Sequence, residues 1–232
     1  NGPEIFEAAE KNYVSVYFEA AVGGGMPTIK TIRESMVAND VSSLKTIING
    51  TCNYILTEME VNGLSFDKAL GKAQAGGFAE ADPTLDIGGG DSGHKVAIMA
   101  SLLHGGFVRY EDVSIEGIAD ITELDISFAR DLGYRIKLLG IIKSDDSGLE
   151  VRVHPAMLHT DHILASVSRE YNAVLLEGDA VGEILLYGKG AGELPTASAV
   201  VGDVIDVARN LNSSSPKRIP MRFYSGDRRI SL

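Results

Sequence analysis

The sequence predicts an α+β fold, a mixed β-sheet with helices packed on it. Two observations carry this. Strand-like segments crowd the second half, where RIKLLGIIK, LEVRVHP, YNAVLLEG and AVGEILLYG have β-branched or alternating apolar character. Helical and strand segments are also mixed without the regular alternation of a doubly wound parallel sheet. Length agrees: 232 residues, 44% apolar and 23% charged, suffice for a buried core in one large domain or two small ones.

Residues 3–11 carry helix formers and read as the middle of an amphipathic helix, and YVSVYFEAAV (13–22) is rich in β-formers, so the chain is expected to open as helix, strand and glycine loop. Pro27 sits at the expected first turn of a helix running to about Ala38. Residues 44–48 alternate as a short strand before Asn49-Gly50, after which TCNYILTEME resumes a helical period. Ser65 reads as the N-cap of a helix ending at Gly76-Gly77. Residues 78–90 have no period and read as loop, and Asp91 starts a helix, DSGHKVAIMASLLHG, closed by Gly105. The strand-rich half is expected to hold one short helix around residues 128–132, and the last helix opens at Pro195. SSSPKR (213–218) is the one linker-like segment, and the closing RRISL reads as a strand beginning, so the chain is expected to be a piece of something longer at both ends.

With 21 basic and 32 acidic residues the formal net charge is −11, and no basic run offsets it, which disfavours nucleic acid and anionic membrane surfaces as partners. The longest apolar runs are too short to cross a membrane. The single cysteine, Cys52, excludes an internal disulfide, and a reducing cytoplasm is the expected compartment.

The richest chemistry lies in GGFAEADPTLDIGGGDSGHK (76–95), which concentrates Glu80, Asp82, Asp86, Asp91 and Lys95. Asp91 and Lys95 are four apart at a helix start and share a face, and the glycines at 88–90 are expected to let backbone approach a ligand. Carboxylates beside one lysine suit a zwitterion: they take an ammonium, and the lysine takes a carboxylate or carbonyl oxygen. The alternative is a solvated acidic loop with a capping aspartate and a surface ion pair. The carboxylate spacing does not fit an EF-hand. EAAVGGGMP (19–27) and YGKGAGELPTA (187–197) are two further strand, glycine, helix turns. The second carries G-x-G-x-G but lacks the full dinucleotide fingerprint and a following βαβ unit, so a complete Rossmann motif is rejected. Cys52 in NGTCNY resembles the nucleophile segment of phosphorylating aldehyde dehydrogenases, although a lone cysteine at a helix start is more often a small packed residue. His154, His159 and His162 lack a zinc signature and read as loop histidines.

EAAVGGGMP, NGTCNYIL, GGFAEADPTLDIGGGDSGHK and YGKGAGELPTASAVVGD together resemble homoserine dehydrogenase in order and approximate spacing, over nearly the whole chain. The resemblance implies the fold of the C-terminal catalytic domain of glyceraldehyde-3-phosphate-dehydrogenase-like enzymes. It also implies NADP- or NAD-dependent interconversion of L-aspartate 4-semialdehyde and L-homoserine, on the route to threonine, methionine and isoleucine. By the same resemblance the catalytic residues are Lys95, Asp91 and Glu80: Glu80 and Asp91 hold the substrate's amino end, with Asp86, Thr51 and Phe78 nearby, and Lys95 hydrogen-bonds the reacting oxygen. Gly50, Thr51 and Asn53 border the nicotinamide, and Gly190, Gly192, Glu193 and Pro195 face the cofactor. A monovalent cation such as sodium is implied at the Glu19 side chain and the carbonyls of Val22, Gly24 and Met26. A homodimer or higher homo-oligomer is implied as well.

On this reading residues 1–22 are a remnant of the nucleotide-binding domain, 23–186 the substrate-binding and dimerisation domain, 187–212 a glycine-rich loop and helix returning to the nucleotide-binding domain, and 213–232 a linker and C-terminal segment. The family commonly has tyrosine where this chain has Phe78, and threonine where it has Cys52, so a phenol hydrogen bond to substrate is absent here. Its glycine fingerprint and a second lysine, proposed as the main acid/base, would lie before Asn1, so little or no turnover is expected of this chain alone. Longer members continue into an ACT-type regulatory domain. Two other readings compete, a cysteine-dependent semialdehyde dehydrogenase resting on Cys52, and a non-catalytic amino-acid-binding or assembly module.

Overall fold

The computed structural model describes residues 2–145 and 148–212. The expected linker at 213–218 and the terminal strand lie outside the described residues. Six strands form one sheet: β1 (Val41–Ile47), β2 (Ser114–Ile115), β3 (Tyr134–Asp145), β4 (Gly148–His159), β5 (Tyr171–Gly178) and β6 (Gly182–Lys189). Their spatial order is β2-β4-β3-β1-β5-β6, with β2/β4 parallel and the other pairs antiparallel, so the sheet is mixed as expected. The longest ladder joins β3 to β4, from Tyr134 opposite His159 to Asp145 opposite Gly148.

Eight α-helices accompany the sheet among the described residues: α1 (Gly2–Lys11), α2 (Thr28–Lys30), α3 (Gly50–Asn62), α4 (Phe66–Ala75), α5 (Thr84–Ile87), α6 (Gly90–His104), α7 (Glu123–Asp131) and α8 (Glu193–Asn212). Alternation along the strands sorts the two sheet faces. Leu44, Ile136, Leu138, Ile142, Val174 and Leu176 meet Ile55, Leu56 and Met59 of α3 and Val96, Met99 and Ala100 of α6 in the main core. The intervening residues Ile47, Leu139, Ile141, Ala173 and Leu175 form a smaller cluster on the other face with Leu164 and Val167. No helix among the described residues is long and apolar enough to cross a membrane.

Several expectations shift. Residues 13–22 form no strand: Tyr13 takes a left-handed φ of 55° and is 81% exposed, and Glu19–Ala21 is a 3-10 turn. β-rich composition makes a strand only where the fold lays the segment alongside a partner, and 13–22 pairs with neither edge strand, β2 or β6. Pro27 stands at the N-cap, and α2 widens into a π-helical turn over Thr31–Ser35, ending short of Ala38. The loop at 78–90 contains α5. The helix expected around 128–132 begins at Glu123, where Thr122 and Asp125 make a capping box. α3 starts on Asn49, whose side chain accepts the Cys52 amide, and α6 closes on left-handed Gly105 (φ 66°). Ser65 caps α4 by position without a side-chain bond.

Candidate active site

A cavity of about 620 Å³ opens where β1 runs into α3. Ile48, Asn49, Gly50 and Thr51 form its floor, α5 and α6 bring Asp86, Asp91 and Lys95 to one wall, and Glu170, Asn172 and residues 189–195 form the other. Of the residues expected at the site, Asp86, Asp91, Lys95, Gly50, Thr51, Phe78, Gly190, Gly192, Glu193 and Pro195 all line it.

The acidic wall is tightly bonded. Lys95 Nζ donates to Asp91 Oδ2 at 2.7 Å and lies 3.4 Å from the Ile48 carbonyl. Asn49 Nδ2 donates to Asp86 Oδ1 at 2.6 Å and to Asp91 Oδ2 at 2.9 Å. The Lys95 and Asp91 side chains keep about a fifth to a quarter of their surface exposed, which separates them from a fully solvated surface pair. Thr51 donates its hydroxyl to the Phe78 carbonyl at 2.6 Å, and the Phe78 ring stacks on Tyr54 with centroids 4.5 Å apart.

Other expected residues are not brought into the cavity. Glu80 is exposed on the turn beyond Phe78 and is not among the lining residues. Asn53 faces away: its Nδ2 donates to the Tyr171 carbonyl at 3.1 Å and its Oδ1 accepts Lys137 Nζ at 3.1 Å. Asp82 accepts the hydroxyl and amide of Thr84, which hold its carboxyl below the usual carboxylate range, and so belongs to the start of α5. The glycines at 88–90 serve protein rather than ligand: a Cβ on Gly89 (φ 81°) would crowd Ile115 and the Glu116 carbonyl, and one on Gly90 would meet Leu85. Cys52 is fully buried and sits 3.2 Å from the Asp86 carbonyl. Burial first, then the carboxylates of Asp86 and Asp91, push its thiol well up, the opposite of a nucleophile's need. His154 and His159 lie on β4 rather than in loops, His162 caps a 3-10 turn, and the described residues contain no His/Cys/Asp/Glu group able to hold a metal.

The two glycine turns meet. Gly25 donates to the Lys189 carbonyl at 3.2 Å, and a Cβ on Gly24 (φ 55°) would overlap the Gly190 carbonyl. Glu19 turns both carboxylate oxygens to backbone, taking the amides of Ile29 (2.8 Å) and Lys30 (2.9 Å). Met26 contributes its carbonyl to the Thr28 amide at 2.8 Å.

Asn49 and Asn172 escaped the sequence reading. Asn49-Gly50 read as a break after a strand, although Asn followed by a helical period is also an N-cap signal. Asn172 is the second residue of β5, where its one mark is polarity just ahead of an apolar run. It is 1% exposed, and its Oδ1 has no hydrogen-bond partner. Unpaired buried oxygens are rare enough to mark a site.

A helix-backed mixed sheet whose cavity sets acid and lysine against a glycine-rich loop defines an α+β protein with a polar ligand-sized site. The family model for homoserine dehydrogenase matches residues 27–205, and the chain belongs to the homoserine dehydrogenase family. It is 50% identical over 219 residues to the homoserine dehydrogenase of Neisseria gonorrhoeae, covering 94% of this chain and 50% of that protein. Against the Pseudomonas aeruginosa enzyme it is 47% identical over 227 residues, covering 98% of this chain and 52% of the relative. The crystal structure of a homoserine dehydrogenase from Thiobacillus denitrificans superposes with a TM-score of 0.94 at 46% identity, over 99% of this chain and 54% of that one. A hyperthermophilic archaeal homoserine dehydrogenase mutant in complex with NADPH matches with a TM-score of 0.77 at 27% identity, over 92% of this chain and 60% of that one. The chain spans about half the length of the curated relatives it matches.

Proposed function

We propose that this chain is the substrate-binding and oligomerisation part of an enzyme that interconverts L-aspartate 4-semialdehyde and L-homoserine with NADP or NAD. The observation that carries the proposal is the convergence of Asp86, Asp91 and Lys95 on one cavity wall opposite the glycine-rich segment 189–195. Asp86 and Asp91 take the substrate ammonium. Lys95, steadied by Asp91, points its remaining donor capacity at the reacting oxygen, stabilises the alkoxide that develops there and protonates it. Substrate meets Glu80 only if the exposed turn that carries it folds toward the cavity.

The opposite wall suits a nicotinamide cofactor. Gly190 and Gly192 present backbone without side chains, with Glu193 and Pro195 following. A nicotinamide held there supplies hydride to the carbonyl carbon in the reducing direction. The donor set of Glu19 with the carbonyls of Val22, Gly24 and Met26 is all hard oxygen, which suits a monovalent cation such as sodium. The amides already on Glu19 give that carboxylate a second task, fixing the start of α2.

A homodimer or higher homo-oligomer, which the family resemblance implies, is part of the same proposal. The division of the chain at residues 22, 186 and 212 and a cytoplasmic location belong to the same proposal. Calorimetry with L-homoserine, with and without NADP, tests it. Binding that Glu80→Gln weakens supports the full residue assignment, and a folded chain that takes up no homoserine refutes the proposal.

A further inference from the structure

We infer that Asn49 is a positioning residue that sets the charge pattern of the cavity, holding Asp86 and Asp91 together so that each keeps one oxygen for a ligand ammonium. The inference rests on the reading of the cavity as an amino-acid site.

Asn49 stands between β1 and α3 and is 5% exposed. Its carboxamide is used in three directions: Oδ1 accepts the Cys52 amide at 2.8 Å, and Nδ2 donates once to Asp86 Oδ1 and once to Asp91 Oδ2. Both N–H groups of the amide are thereby spent, one on each carboxylate. Two carboxylates brought this near repel, and the repulsion grows as water is excluded. A lysine or arginine at position 49 would relieve it by cancelling charge. The amide relieves it without charge, so the wall of two carboxylates and one ammonium, Lys95, keeps an excess of one negative charge.

The bonding also selects oxygens. Asp91 Oδ2 receives both Asn49 and Lys95, and Asp86 Oδ1 receives Asn49. Among the described residues Asp91 Oδ1 and Asp86 Oδ2 take no hydrogen bond, and both residues line the cavity. Two acceptor oxygens contributed by separate helices match an ammonium group, which has three donors and no acceptor. Capping α3 does not by itself require asparagine, because serine or aspartate caps a helix as well. The carboxamide is required by the second task.

Asn49→Ser separates the two tasks, since serine caps α3 and cannot reach both carboxylates. The measurement is calorimetric binding of L-homoserine and of 4-hydroxybutyrate, which lacks the amino group, to the parent chain and to the variant, with melting temperature as the control. The parent is expected to prefer homoserine. In Asn49→Ser the homoserine affinity is expected to fall at least about tenfold, roughly the worth of one charge-assisted hydrogen bond. 4-Hydroxybutyrate should be unaffected, so the preference disappears. Asn49→Asp, an equally good cap that adds a third carboxylate, should lose the preference too. A variant that melts with the parent and keeps its preference overturns the inference alone. Variants that both melt more than about ten degrees below the parent overturn it as well, by assigning Asn49 to the fold. A parent that binds neither ligand defeats the proposed function, and the inference with it.

Discussion

Replacing Lys137 by methionine should remove a pH dependence of stability that the native chain is expected to show. Lys137 lies on β3, fully buried, with its amine donating to the Val167 carbonyl at 2.6 Å and to Asn53 Oδ1 at 3.1 Å. Burial lowers its pKa from 10.5 to about 8; its charged neighbours Glu60 and Arg135 act in opposite senses and pair with each other at 3.0 Å. The unfolded chain holds this proton to higher pH than the folded one. Stability therefore rises with pH between about 8 and 10.5, and the cost of burying the charge is fully present below that window. A gap of roughly 2.5 pKa units corresponds to about 3 kcal/mol, of which about 2 kcal/mol is recovered between pH 7 and pH 9.5. The quantity to measure is the difference between parent and Lys137→Met in urea unfolding at the two pH values, in which contributions common to both chains cancel. The parent should gain about 2 kcal/mol on the variant as pH rises. A difference that stays constant, or shrinks, would refute a buried charged lysine. The absolute stability of the variant is a separate matter, because methionine leaves Asn53 Oδ1 without its donor and the Val167 carbonyl with only the longer bond from Asn53 Nδ2 at 3.3 Å.

Two further outcomes follow from the geometry. Buried Cys52, its thiol held protonated, should react with a thiol reagent at neutral pH at least about a hundredfold more slowly in the native chain than in urea, and comparable rates would restore the nucleophile reading. Gly24→Ala places a Cβ on a left-handed backbone against the Gly190 carbonyl and should cost about 2 kcal/mol or more by thermal denaturation; an unchanged melting temperature would mean that the two glycine turns are not in contact.

What could be read from the sequence was what depends on local periodicity. The unbroken apolar runs in RIKLLGIIK and YNAVLLEG locate β3 and β5 because each buries both faces against different neighbours, and Gly105 marks the end of α6 because only a left-handed residue fits there. YVSVYFEAAV has the composition of a strand but is not laid alongside one, a fact of tertiary arrangement that composition does not carry. TELD carries the capping box that opens α7 at Glu123, five residues before the expected start at 128. At the site, Asp91 and Lys95 share a face by spacing alone, whereas their link to Asp86 runs through Asn49, far away in the sequence. Asn53 follows Asn49 by one helical turn, yet its side chain turns to Lys137 and the Tyr171 carbonyl instead of the cavity.

The sheet order also governs when the molecule can assemble. β1 lies inside the sheet, between β3 and β5, so the first strand of this sheet in chain order must wait for partners made much later, with Thr46 opposite Gly140 on one side and Val174 on the other. Contacts this distant in sequence make folding slow, and until they form β1 is an unpaired, partly apolar strand edge on a growing chain. The cavity inherits the delay: its acidic wall is complete by Lys95, but residues 170–195 that face it emerge much later. The newborn chain is therefore most in need of protection from aggregation just before its binding cavity closes.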